Sequence, residues 1–140
     1  MALSEGINPL PIELKILALS AILLLVHVFA AAQAKTKQYG PAWNMGARDE
    51  ELPPLNPVAG RLVRAQANFQ ETLPIAIIAL AGVVLAERAN GWTALGGWIW
   101  LGARVVYLPL YGFGVPKIRT AVFLLSLVGL GMAIWPLLFG

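Results

Sequence analysis

The chain alternates between long apolar runs and short polar segments, and this pattern predicts four helices. A helix needs roughly 20 mostly apolar residues to cross the hydrocarbon core of a bilayer. Runs of this kind occupy about residues 11–34, 58–89, 92–112 and 117–139. Turn signals such as "NGW" separate them. We therefore expect an all-α integral membrane protein, with one domain over residues 1–140 and four transmembrane helices in an up-down bundle.

The segment between the first two helices, "KTKQYGPAWNMGARDEELPPLNP", is rich in proline, glycine and charge. It is the longest connection, so we expect it to be a loop and the most mobile part of the chain. Basic residues cluster at loops one and three: Lys35, Lys37, Arg48, Arg61 and Arg64 at the first, and Lys117 and Arg119 at the third. The positive-inside rule places these two loops in the cytoplasm and both termini on the opposite side.

The composition agrees with a membrane protein and excludes several types of functional site. Of the 140 residues, 59% are hydrophobic and only 12% are charged, about half the charged fraction of a soluble domain. The net charge of +3 reflects the basic loops, so we expect no nucleic-acid partner. The absence of cysteine excludes disulfides and a protein thiol nucleophile. His27 has no second histidine or cysteine to share a metal with, and we interpret it as a packing residue.

Helix two carries polar side chains that extend into the membrane. Arg61, Arg64, Asn68 and Glu71 are spaced three or four apart and share one face. Only the 15 residues 72–86 that follow are apolar or nearly so, which gives about 22 Å of helix at about 1.5 Å per residue. The hydrocarbon core is roughly 30 Å thick. Part of the polar stripe must therefore lie at membrane depth.

Helix three carries a matching stripe in "GARVVYLPLYGFG", where Arg104, Tyr107 and Tyr111 share a face. Both stripes fall in the cytoplasmic half, which predicts a polar pocket there. A charge at the bilayer centre costs roughly 2.5–3.5 kcal/mol and needs partners. In one interpretation, Glu71 pairs with Arg104 or Arg64 and only locks the helices together. In the other, which the excess of arginines favours, the pocket binds an anionic ligand.

These segments resemble the MAPEG family, the membrane-associated proteins of eicosanoid and glutathione metabolism. "RAQANFQETLP" is similar to the helix-two signature R-A-(Q/H)-x-N-x-x-E-x-x-P of that family. The matching residues are Arg64, Ala65, Gln66, Asn68, Glu71 and Pro74. "ARVVYLPLY" resembles the helix-three pattern, and "VPKIRT" resembles the Pro-x-x-Arg start of helix four. The resemblance covers nearly the whole chain.

The resemblance implies a left-handed four-helix bundle assembled as a homotrimer, with glutathione as co-substrate between subunits. The implied glutathione ligands are Arg64, Gln66, Asn68, Glu71, Arg104, Tyr107 and Tyr111. Arg119 would stabilise the glutathione thiolate. It lies one residue further from Arg104 than its counterpart does in the leukotriene and prostaglandin enzymes, so Lys117 is a second candidate. The implied activity is that of a transferase or peroxidase that attacks small lipophilic electrophiles arriving through the membrane lipids.

Other features depart from the pattern. Thr72 stands where leukotriene C synthase has an aromatic hydroxyl, and Ala67 replaces an arginine of prostaglandin E synthase. Lys35 or Lys37 is the candidate for the basic residue by which loop one completes such sites. The family also contains a non-catalytic member, so the alternative is a lipid-binding or scaffold protein of the same fold. Compact length and short loops favour a bacterial member in the inner membrane.

Overall fold

The computed structural model describes residues 8–140, and their regular structure is helical. Residues 1–7, which the predicted domain includes, lie outside the described range. The helices are α1 (Ile12–Tyr39), α2 (Pro41–Met45), α3 (Pro57–Leu85), α4 (Gly91–Gly112) and α5 (Pro116–Phe139). The all-α prediction is confirmed. The short α2 within loop one was not expected.

Two helix ends differ from the prediction by more than one residue. α1 continues past Ala34 to Tyr39, because a change from apolar to polar residues ends a membrane span without ending a helix. α3 stops at Leu85, before the predicted end near residue 89. Two residues after Leu85, Glu87 adopts a φ of 58°. The Arg88 amide then donates a 2.7 Å hydrogen bond to the Val83 carbonyl. This left-handed residue closes the helix in the manner of a Schellman motif.

Glu87 offers a simple test of this helix end. A residue with a Cβ pays about 1–2 kcal/mol in the left-handed region, whereas glycine adopts it freely. We expect Glu87→Gly to raise the free energy of unfolding by about 1 kcal/mol, measured by thermal unfolding in detergent. Glu87→Ala keeps the Cβ and should bring no such gain. Equal stabilisation by both variants would assign the effect to the lost carboxylate instead.

Three helices, α1, α3 and α5, are long and apolar enough to cross a membrane. These three predicted spans are therefore supported by length and hydropathy. α4 has comparable length, but its glycines, its tryptophans and Arg104 lower its mean hydropathy. Large apolar side chains such as Phe29, Ile78 and Val128 are exposed on the outside of the helices, as expected of surfaces that face lipid.

The core lies where the four long helices meet. Phe69 of α3 is fully buried, and its ring stacks with His27 of α1 at 5.0 Å and Trp100 of α4 at 5.9 Å between centroids. The most extensive contact joins α4 and α5, which approach closely at Gly96 and Gly129. A Cβ on either glycine would lie 2.5 Å from the carbonyl oxygen of the other. Only glycine permits this separation between the two helices.

Side-chain hydrogen bonds join separate segments at each of the two ends of the molecule. At the end away from loop one, the buried Glu13 accepts a 2.8 Å hydrogen bond from the Thr93 hydroxyl. Asn90 and Thr93 also form the capping box that starts α4. The contact shows that Glu13 joins α1 to α4, a structural role that the sequence pattern did not predict.

Loop one is tied back to the end of α1. The Gln38 side chain donates to the Pro54 carbonyl at 3.0 Å and accepts from the Asn56 amide at 2.8 Å. Tyr39 donates its hydroxyl to the Pro53 carbonyl. The segment expected to be mobile is thus anchored where it approaches α3, and these bonds set where α3 begins.

Candidate functional site

An arginine-lined cavity opens where the start of α3, the end of α4 and the start of α5 meet. It has a volume of about 180 Å³. Its lining residues are Arg61, Arg64, Tyr111, Gly114, Pro116 and Arg119. This set holds three guanidinium groups and one phenol, and it contains no carboxylate. We refer to it below as the arginine cavity.

Tyr111 is contacted by arginines from two helices. Arg64 Nε of α3 donates a 3.2 Å hydrogen bond to the Tyr111 hydroxyl. The Arg119 guanidinium of α5 lies 4.4 Å from the centroid of the Tyr111 ring, a cation–π distance. Two cations are thereby held beside one side chain, and no carboxylate is among the described residues that line the cavity. Such an arrangement concentrates positive potential and attracts anions.

A second polar group lies deeper in the core, around Arg104. This arginine is fully buried, and its Nη1 donates a 2.7 Å hydrogen bond to Asn68 Oδ1. Its guanidinium carbon lies 4.2 Å from the centroid of the Tyr107 ring. Arg104 Nε and Nη2 have no hydrogen-bond partner within the described residues. A buried donor without a partner costs about 1–3 kcal/mol, so these two groups are available to an acceptor from a ligand or to water.

The two polar groups adjoin each other through Tyr107 and Tyr111, whose ring centroids are 5.5 Å apart. The structure thus brings together six of the predicted site residues. They are Arg64, Tyr111 and Arg119 at the arginine cavity, and Asn68, Arg104 and Tyr107 beside it. Gln66 and Glu71 are not among the cavity residues. Gln66 is half-buried and Glu71 is exposed.

The structure bears on the alternative in which Glu71 locks the helices together. Within the described residues, Arg104 donates to Asn68 and Arg64 donates to Tyr111. Glu71 is exposed on the flank of α3. Among the hydrogen bonds of the described residues, neither arginine is paired with Glu71 in the single chain.

The basic residues predicted to contribute to the site from loops one and three lie in different places. Arg119 lines the arginine cavity, whereas Lys117 is exposed and does not. Lys37 lines a different cavity of about 680 Å³, between α1, α2 and the start of α3. The Thr72 hydroxyl donates at 3.1 Å to the Phe69 carbonyl of its own helix, so its hydrogen bond is already satisfied locally.

Arg61 is a cavity residue that the sequence interpretation did not assign to the site. Its Nε donates a 3.0 Å hydrogen bond to the Gly112 carbonyl, and Arg61 is one of the residues that line the arginine cavity. The spacing could have assigned Arg61 to the site, because this residue lies three positions before Arg64 and shares its face of α3. The sequence pattern alone places Arg61 in the polar stripe and among the basic residues near loop one.

The model of the MAPEG family matches residues 14–139, nearly the whole chain. No curated protein and no solved structure matches the chain.

Proposed function

The chain belongs to the MAPEG family, and on that premise we propose that it is a glutathione-dependent transferase or peroxidase acting on lipophilic electrophiles. Family membership and the three long apolar helices make it an integral membrane protein of the family named for eicosanoid and glutathione metabolism. The finer assignment depends on the chemistry of the arginine cavity and the residues beside it.

The observation that carries the proposal is the unbalanced positive charge of the site. Three arginines line the arginine cavity, and the buried Arg104 beside it keeps two donor groups free within the described residues. Glutathione carries two carboxylates, which arginine binds through paired, charge-assisted hydrogen bonds. It also carries one ammonium group, which the exposed Glu71 would accept.

We assign activation of the thiol to Arg119. A nearby cation favours the ionised form of a thiol, and the thiolate is the nucleophile. The chain has no cysteine, so the attacking sulfur belongs to glutathione. In a transfer, the thiol releases its proton to solvent, the sulfur bonds to the electrophilic carbon, and the leaving group departs with the bonding electrons. With a hydroperoxide, the sulfur takes the outer oxygen and the alcohol leaves. A second glutathione then reduces the sulfenic acid, forming the disulfide and water.

We further propose that four transmembrane helices form the bundle and that three chains assemble around shared sites. α4 contacts α1, α3 and α5, which supports its crossing the membrane with them. Arg64 and Glu71 are exposed in the single chain although they share the polar face of α3. A neighbouring subunit covering this face would complete the site. Loops one and three would be cytoplasmic, and the electrophile would enter laterally from the bilayer.

The deciding experiment measures glutathione binding by calorimetry with detergent-purified protein, with conjugation of an aryl halide followed in parallel. We expect Arg64→Ala to lose about tenfold or more in glutathione affinity, because a hydrogen bond to a charged group is worth about 1.5–3 kcal/mol. Lys15→Ala is the matched control, since Lys15 is an exposed cation near the start of α1. If the unsubstituted protein and Arg64→Ala bind glutathione equally poorly, the enzyme proposal fails and the lipid-binding alternative gains.

A further inference from the structure

Arg61 links α3 to the turn between α4 and α5. Its Nε donates a 3.0 Å hydrogen bond to the carbonyl of Gly112, the last residue of α4. The final carbonyls of a helix have no partner within it, and a cation is favourable at that end. The contact therefore satisfies the end of α4 with a side chain from another helix.

The turn that Arg61 contacts is short and well defined. The Gly114 amide donates a 3.0 Å hydrogen bond to the Tyr111 carbonyl, and Gly114 has a φ of +74°, which glycine adopts without strain. α5 begins two residues later at Pro116. A Cβ built at Gly114 would lie 3.4 Å from Arg61 Cζ. The guanidinium thus packs against the turn as well as bonding to it.

The turn also determines where Arg119 lies. Arg119 is in the first turn of α5, so the direction in which the chain leaves Gly114 sets its distance from Arg64 and Tyr111. Gly114 and Pro116 themselves form part of the cavity wall. A small tilt of this turn would move the Arg119 guanidinium relative to the other two side chains.

We infer that Arg61 is a positioning residue, which acts through Gly112 and Gly114 to hold Arg119 at the place where it faces the thiol. The inference rests on the proposed function. It gives Arg61 no contact with the reacting sulfur. Arg61 therefore affects ionisation of the bound thiol and the turnover rate more than it affects the affinity for glutathione.

The test uses the full chain in detergent, with glutathione as ligand and an aryl halide as electrophile. Arg61→Gln should lose less glutathione affinity than Arg64→Ala, because Arg61 Nε is already bonded to the Gly112 carbonyl. It should show a weaker ultraviolet absorbance of bound thiolate and a kcat lower by about 10- to 100-fold, since a misplacement of about 1 Å costs up to about 100-fold. Gly114→Ala keeps every arginine but strains the turn, so it should reproduce this signature. Lys15→Gln, which removes an exposed cation near the start of α1, should behave as the unsubstituted protein.

A double substitution isolates the positioning role. If Arg61 acts through Arg119, then Arg61→Gln should lower kcat little further in an Arg119→Gln background. A full additional effect there, or an unchanged thiolate signal in Arg61→Gln, would overturn the inference. If Arg61→Gln fails to fold, Gly114→Ala alone decides it. The proposed function fails separately if the unsubstituted protein does not bind glutathione. That result would overturn both the proposed function and the inference about Arg61.

Discussion

Arg119→Gln should retain glutathione but lose most of its thiolate and about 100-fold in kcat, the scale on which removal of one stabilising donor acts in other enzymes. Arg119 is the cavity arginine on α5, lying over the Tyr111 ring at 4.4 Å. Without its charge, the pKa of the bound thiol should return toward the ordinary value of about 8.5. Little thiolate would then form at neutral pH. The rate should rise as the pH is raised through that value, whereas the unsubstituted protein should already be near its plateau.

The measurement is the ultraviolet absorbance of the thiolate on glutathione addition, together with kcat as a function of pH. Lys117→Gln is the discriminating variant, because Lys117 lies two residues earlier and is exposed outside the arginine cavity. Loss of the thiolate signal in Lys117→Gln, with the signal intact in Arg119→Gln, would reverse the assignment. Equal partial losses in both would mean that the thiol responds to the general positive charge at the start of α5.

Gly129→Ala should be among the most destabilising single substitutions in this chain. Its Cβ would lie 2.5 Å from the Gly96 carbonyl oxygen and 2.6 Å from the Trp100 amide nitrogen. Both are backbone atoms, so α4 and α5 must separate. Overpacking of a tight interface costs typically about 1–3 kcal/mol and occasionally more. At the upper end of that range we expect the apparent Tm in detergent to fall by roughly 10 °C.

Gly131→Ala provides the matched control on the same helix. Nothing lies within 4 Å of a Cβ built at Gly131, so the added methyl group meets open space. Alanine is favoured over glycine inside a helix by about 1 kcal/mol, and the Tm should stay unchanged or rise. Equal effects of the two substitutions would show that the close approach of α4 and α5 is not what holds them together.

The features that depend on period and composition were accessible from the sequence. The four long helices and the shared face of Arg64, Asn68 and Glu71 follow from apolar run length and a period of 3.6 residues. The same spacing placed Arg104, Tyr107 and Tyr111 on one side of α4. These properties are local, so a single segment contains all the information needed to infer them.

The features that depend on contact between distant segments could not be predicted from the sequence. Nothing in the spacing indicates that Arg61 meets the carbonyl of Gly112, or that Glu13 is buried against Thr93. Hydropathy marked the end of the first span near Ala34, but the helix continues to Tyr39 because its backbone bonds persist in polar surroundings. The anchoring of loop one by Gln38 likewise depends on where Pro54 and Asn56 fold back.

The glycine contact between α4 and α5 has a consequence for biogenesis. α4 is absent from the described helices that are apolar enough to cross a membrane alone, and Arg104 opposes its partition into lipid by roughly 2.5–3.5 kcal/mol on the insertion scale. α5 is strongly apolar and follows after a turn of three residues. In the proposed arrangement of four spans, the packing of Gly96 against Gly129 would let the weaker helix enter lipid already joined to the stronger one. Insertion of the two as a preformed hairpin is therefore the route that their sequences and their contact favour.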